Sequence, residues 1–295
     1  MPTSCLQKPS YIHTSRGRFA YLEAGDPTHP LVLCLHGFPD HAHTWMHLLP
    51  TLAEAGYHVI APWLRGYAPS CLEGPFLLET LRDDLIELSQ QLSHGRPTYL
   101  VGHDWGAVIT CLATAQAPQY FEKAVTLAVP HALNLVEQGF TKANQLFKSR
   151  YILFFQLPLV SDLVVRRQNF RYIDELWQRW SPNLKHDPVF HEELKLCLRQ
   201  SMPAPLDYYR AITRPLGPAI ERLTNPHRAE REIHIPTLHI QGGADGCIGS
   251  ECLQGQSRFY KGPFQEVIVP NAGHFLHLEE PERVGELIKD WFQPS

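Results

Sequence analysis

The chain has 295 residues, 44% of them hydrophobic, enough to bury one large core, and α/β chains of this size often carry an inserted second lobe. Lys and Arg number 26 against 30 Asp and Glu, a formal charge of -4 with no basic block of the kind that tracks phosphates, which excludes nucleic acid as a partner. Residues 1–10 lack the charged start and apolar run of a secretory signal, and no stretch approaches about 18 uninterrupted apolar residues, so the expectation is a soluble, cytoplasmic protein with no membrane partner.

Leu31-Val32-Leu33-Cys34-Leu35 is the first candidate buried strand, and an amphipathic helix is predicted from His43 to Ala55. Val59-Ile60-Ala61, the helix Leu77 to Leu92, Tyr99-Leu100-Val101, the helix Trp105 to Gln116 and Ala124-Val125-Thr126-Leu127 follow in alternation. That alternation is the pattern of parallel strands joined by crossover helices. From His131 to about Leu223 the pattern is helical throughout, punctuated by prolines, and strands return at Thr237 to Gln241 and Glu266 to Val269 before a closing helix, Pro281 to Phe292. The expected architecture is therefore a mostly parallel α/β core, residues 1–130 and 224–295, interrupted by an all-helical cap, residues 131–223. Seven scattered cysteines form no CxxC pair and read as reduced, mostly buried side chains.

Directly after the strand at Tyr99 comes Gly102-His103-Asp104-Trp105-Gly106, and a helix starts at once. A turn this tight lifts its middle side chain into the open and requires small residues two positions to either side, which Gly102 and Gly106 provide. Asp104 stands where such turns present a nucleophile, and the N-H groups of the following helix favour its ionised form. The strand-turn-helix pattern places an acid and then a histidine later in the chain. Asp245 follows the strand Thr237 to Gln241, and His274 sits between the last strand and the last helix. Upstream, His36-Gly37-Phe38-Pro39-Asp40 follows the first buried strand, and the backbone N-H groups of Phe38 and Trp105 are the candidate oxyanion donors. Pro39 is a candidate for a cis bond that turns this loop inward.

A carboxylate attacks esters and amides poorly, because the anhydride formed is more reactive than the substrate. It suits displacement at saturated carbon, for which strained epoxides and alkyl halides are the two substrate classes. Either gives an alkyl ester on Asp104, cleaved by water with His274 as base and Asp245 orienting the imidazole. A halide leaving group needs N-H donors; an epoxide oxygen needs an acid, which a tyrosine hydroxyl with a pKa of about 10 can supply.

His36 to Asp40, His103-Asp104-Trp105-Gly106 and Gly273-His274-Phe275 resemble the α/β-hydrolase fold epoxide hydrolases, over nearly the whole chain. In the insertion, Phe154-Phe155-Gln156-Leu157-Pro158 and Pro205-Leu206-Asp207-Tyr208-Tyr209-Arg210 resemble that family's lid segments. The resemblance implies that Tyr209 donates the proton to the epoxide oxygen, with Tyr208 as the fallback. Many members carry a first lid tyrosine that aligns here with Phe154, which has no hydroxyl; Tyr151, one helical turn earlier, is the candidate replacement. The expected substrate pocket is lined by His36, Phe38, Pro39, Trp105, Tyr151, Phe154, Tyr209 and Phe275, with Trp177 and Trp180 read first as packing. The expected substrate is a small apolar epoxide with water as co-substrate. No cofactor motif and no metal-ligand spacing is present. A homodimer is open to the chain, but its oligomeric state is not legible.

Haloalkane dehalogenases share the Asp-Trp pair, but their position after His-Gly resembles Asn or Glu, whereas here Phe38 offers no side-chain donor. A binding protein without turnover would be expected to have lost one of Asp104, His274, Asp245 or Tyr209, and all four are present.

Overall fold

The computed structural model describes residues 7–185, 187–214 and 231–293. Among them eight strands form one sheet: β1 (Ser10–Thr14), β2 (Gly17–Ala24), β3 (Leu31–Leu35), β4 (His58–Pro62), β5 (Thr98–His103), β6 (Phe121–Leu127), β7 (Thr237–Gly242) and β8 (Phe264–Val269), in the order β1-β2-β4-β3-β5-β6-β7-β8. β1 and β2 run antiparallel to their neighbours and all other pairings are parallel. β3, β4 and β7 are buried at every residue, as strands covered by helices on both faces must be. The helices α1 (Leu48–Glu54), α2 (Leu78–Leu92) and α3 (Trp105–Gln116) make the early crossovers.

Between β6 and β7 lies the helical insertion: α4 (Ala132–Thr141), α5 (Ala143–Lys148), α6 (Arg150–Phe155), α7 (Val160–Trp180), α8 (Pro188–Ser201) and α9 (Ala204–Thr213). The part of the expected insertion from Pro215 to Leu223 lies outside the described residues. α7 is kinked at Arg167–Phe170, where Gln168, Asn169 and Phe170 take positive φ angles. The chain then closes through α10 (Leu276–Glu279) and α11 (Pro281–Phe292).

Two expectations differ from what is observed. The helix predicted from His43 to Ala55 is a 3-10 turn, Ala42–Trp45, followed by the separate α1. Pro50 is the cause: it has no N-H, so it fits the first turn of a helix and not the interior of a longer one. The β1-β2 hairpin was not anticipated, although it adds Phe19, Ala20 and Leu22 to the core.

Parallel strands deliver their loops to one edge. The register pairs Leu35 with Gly102, His103 with Leu127 and Gly242 with Val269, so the segments after β3, β5, β7 and β8 leave the sheet side by side. One polar device supports that edge from outside. Arg65, after β4, makes two short bonds to Asp84 on α2 at 2.6 and 2.8 Å and also donates to the carbonyls of Arg16 and Glu73. Both side chains are nearly inaccessible, so removing one leaves a buried charge without its counter-ion. Asp84→Ala is expected to cost about 3 to 5 kcal/mol in urea unfolding. The exposed neighbour's variant, Asp83→Ala, should stay within about 1 kcal/mol; equal losses would show that burial is not what makes Asp84 matter.

Candidate active site

β5 ends and α3 begins with a single residue between them, Asp104, at φ 51 and ψ -116. A non-glycine residue in this region stores about 1 to 3 kcal/mol of strain, which the surrounding packing must hold. The packing is close. A Cβ added to Gly102 would lie 2.4 Å from the Gly106 carbonyl oxygen, and one on Gly106 would lie 2.1 Å from that of Leu35. Gly37, across the cleft, approaches so near that its Cβ would sit 2.3 Å from the Cβ of Asp104.

The two oxygens of the Asp104 carboxylate are held differently. Oδ1 accepts the Phe38 backbone N-H at 2.8 Å, while Oδ2 lies 3.4 Å from Nε2 of His274. Burial opposes ionisation of this carboxyl, but the hydrogen bond and charge of His274, with the Phe38 N-H, hold it below the usual carboxylate range. Nδ1 of His274 is 2.9 Å from Oδ2 of Asp245. Asp245 is itself fixed by the N-H groups of Cys247 and Ile248, which donate to Oδ1, and by Gln241 Nε2, which donates to Oδ2. Burial would lower the His274 pKa, yet Asp245 and Asp104 on either side push it up to about 10.

The insertion covers this group with aromatic rings. Tyr209, on α9, packs its ring 5.3 Å from Phe38 and 5.1 Å from Trp105, and its buried hydroxyl has no acceptor of good geometry but lies close enough to the Trp105 indole N-H and the Tyr151 hydroxyl to feel both as donors. Burial, reinforced by the Asp104 charge, raises its pKa well above the ordinary tyrosine value, so the proton stays on. Tyr151, on α6, lies 5.6 Å from the Tyr209 ring, and its hydroxyl is 3.5 Å from Cys247 Sγ. Tyr208 turns elsewhere: its hydroxyl donates to the Arg65 carbonyl at 2.6 Å.

Other candidates divide between lining and bracing. Phe38 and Trp105 face Tyr209, and the buried Trp105 indole N-H has no acceptor of good geometry, the Tyr209 hydroxyl being near enough for it to act on. The Phe38-Pro39 bond is cis, and the Pro39 carbonyl accepts the indole N-H of Trp177 at 2.9 Å. Trp177 also stacks on Phe275 at 3.6 Å, and Trp180 stands between Tyr151 and His274. His36, expected in the pocket, has both ring nitrogens engaged: Nδ1 with the Gly37 carbonyl, and Nε2 accepts the Leu64 N-H.

Phe154, also expected in the pocket, meets other rings. It is half-buried and packs on Phe155 and Tyr172, whereas Phe155 is fully buried against Phe38, Tyr151 and Tyr209. Tyr151 and Phe155 are four residues apart on one helix and therefore share its inner face, a periodicity that could have found Phe155 from sequence. Gln241 gave no such signal, since a polar residue ending a buried strand says nothing about its acceptor.

A second polar group lies under the first. Asp40, His103 and His277 bring ligand-capable atoms within 4.8 Å of one another, and Asp40 Oδ2, His103 Nδ1 and His277 Nδ1 have no hydrogen-bond partner. Among the described residues these three are the group whose spacing would admit a metal ion. Burial lowers the pKa of both imidazoles and raises that of Asp40 to about 7. His103 Nε2 meets the His274 carbonyl at 2.9 Å, so the group abuts the backbone that carries His274.

A strained carboxylate at a strand-helix turn, a histidine-acid pair after later strands and helices inserted over the sheet edge define a hydrolase architecture. Residues 30–281 match the model of the alpha/beta hydrolase fold family, and the chain belongs to that family. It is similar to Epoxide hydrolase 3 of Xenopus tropicalis, 29% identical over 94% of this chain and 75% of the relative. It is likewise 29% identical to Epoxide hydrolase A of Mycobacterium tuberculosis, over 92% of this chain and 93% of the relative. The crystal structure of Epoxide Hydrolase A from Mycobacterium thermoresistibile superposes with a TM-score of 0.80 at 25% identity, covering 97% of this chain and 98% of that one.

Proposed function

We propose that this chain is an epoxide hydrolase that converts a small apolar epoxide and water into a vicinal diol, with Asp104, His274 and Asp245 as triad and residues 131–223 as cap. The observation that supports the reading is a buried, protonated Tyr209 packed on Phe38 and Trp105, the two residues that flank the Asp104 carboxylate, and near enough to feel its charge. An epoxide offers the carboxylate a carbon to attack and the hydroxyl an oxygen to protonate.

Oδ2 carries no backbone donor and is the attacking atom, while Oδ1 is already in the position that an oxyanion will occupy. Attack forms the Oδ2-carbon bond and breaks the epoxide C-O bond, and the departing oxygen takes the Tyr209 proton. Esterification removes the Asp104 charge, one of the two supports that hold His274 cationic. The imidazolium then releases its proton, which restores Tyr209, and His274 becomes a base only when an ester is present to cleave. Water loses a proton to His274 and adds to the Asp104 carboxyl carbon while the Phe38 and Trp105 N-H groups receive the charge on Oδ1; collapse then breaks the Cγ-Oδ2 bond, the departing oxygen takes the proton from His274 to complete the diol, and the carboxylic acid left on Asp104 returns its proton to His274. A cytoplasmic address fits the described cysteines, which are all unpaired.

Dehalogenation is the second reading, favoured only by the Trp105 indole N-H, which has no acceptor of good geometry. Styrene oxide in oxygen-18 water separates the two and tests the covalent route. Multiple turnovers should give diol carrying one heavy oxygen, and excess enzyme in a single turnover should give mostly unlabelled diol, its new oxygen coming from Asp104. Labelled diol in the single turnover would mean direct attack by water, and halide release from 1-bromobutane with no diol from styrene oxide would favour the dehalogenase.

A further inference from the structure

The outer side of the cap is apolar where a protein facing only water would be polar. Leu153 is 74% exposed, Leu159 80%, Phe147 65% and Leu163 63%, with Leu157 and Val160 also exposed between them. All six fall within α5, α6, the turn after it and the first turn of α7, and α6 packs against both neighbouring helices. α6 is thus apolar on two sides, with Tyr151 and Phe155 inward and Leu153 outward, and a helix of that kind normally has something against both.

Charge selects the occupant. Residues 141–172 hold Lys142, Lys148, Arg150, Arg166, Arg167 and Arg171 against the single acid Asp162, a net of +5 in a chain whose total is -4. Arg150, Arg166, Arg167 and Arg171 are exposed; Arg171 is paired with Glu175 just beyond this span and Arg166 donates to the Met202 carbonyl, which leaves Arg150, its guanidinium 4.0 Å over the Phe147 ring, and Arg167 as the principal headgroup contacts. A symmetric contact with a second copy would set this net-positive surface against itself, with more cations than the neighbouring Asp162, Asp174 and Glu175 could balance. Leucine and phenylalanine side chains amid arginines suit instead the boundary between acyl chains and anionic headgroups.

We infer that this face of the cap docks on an anionic bilayer surface, with the exposed leucines and Phe147 entering the interface and the arginines meeting headgroup phosphates. No helix among the described residues is long and apolar enough to cross a membrane, so the association is peripheral. It revises the sequence-based expectation of no membrane partner, which rested on the lack of a spanning segment. The docked face and the Asp104 chamber lie on opposite sides of α6, about one helix diameter (~10 Å) apart. An apolar epoxide dissolved in the bilayer would reach the enzyme at its cap.

The test is flotation of the full chain with phosphatidylcholine vesicles, with and without phosphatidylglycerol. Partitioning should be at least about tenfold stronger with phosphatidylglycerol and should weaken as salt is raised. Leu153→Glu/Leu159→Glu should reduce it about tenfold or more, and Arg150→Gln/Arg167→Gln should remove the preference for phosphatidylglycerol. Binding is read without turnover, so its failure is distinct from failure of the proposed reaction, and far-ultraviolet circular dichroism of each variant reports whether it folds. No partitioning by the unaltered chain, or equal partitioning by both variants, overturns the inference. So does a dimer that Leu153→Glu/Leu159→Glu dissociates, since a second copy would then be what covers the face.

Discussion

His274→Gln should let the enzyme open one epoxide and then stop. Glutamine cannot take a proton from water, so the ester on Asp104 forms and stays. Steady-state turnover is expected to fall by about 10³ or more, with a burst of one equivalent of epoxide consumed. Mass spectrometry of the Asp104 peptide should show a mass increase equal to that of the intact epoxide, because ring opening adds the whole molecule. A haloalkane would add its mass less the hydrogen halide. Asp104→Ala should show neither adduct nor turnover. An unmodified peptide while diol accumulates in His274→Gln would dispose of the covalent route and of the role given to Asp104.

The second large effect is expected at the cap. Tyr209→Phe keeps the ring that packs on Phe38 and Trp105 and removes only the hydroxyl, so its effect isolates proton donation. The alkylation rate in a single turnover should fall by about 10² to 10⁴, with little change in hydrolysis of a preformed ester. Tyr151→Phe should cost about tenfold in the same step if its hydroxyl assists, since Tyr151 is the nearer of the remaining cap tyrosines to Tyr209 by its packing. Tyr208→Phe loses a bond to the Arg65 carbonyl and should lower stability by about 1 kcal/mol with alkylation unaltered. Alkylation at the full rate in Tyr209→Phe would remove the basis for reading the substrate as an epoxide.

The cap also shows why adjacent residues in sequence take separate tasks. Tyr208 and Tyr209 differ by about 100° around α9, so one reaches the loop after β4 and the other packs on Phe38 and Trp105 beside Asp104. The same rotation separates Phe154 from Phe155 on α6 and decides which ring faces Tyr209. A motif match aligns positions along the chain but leaves helix rotation open, so it does not tell Phe154 from Phe155 as the ring that meets Phe38 and Tyr209.

Strand positions, the sharp turn at Asp104, the order of acid and histidine, and the helical character of the insertion were legible from local chemistry alone. Buried parallel strands need continuous apolar runs, and a turn of that geometry leaves no room for a side chain two positions to either side of Asp104. What only the tertiary structure decided was everything that depends on partners distant in the chain. It paired Gln241 with Asp245, set His103 beside Asp40 and His277, engaged both ring nitrogens of His36, and added the β1-β2 hairpin to the sheet. Side-chain identity limits what a residue can donate or accept, but burial and the approach of a specific partner determine what it does, and both exist only once the chain has closed on itself.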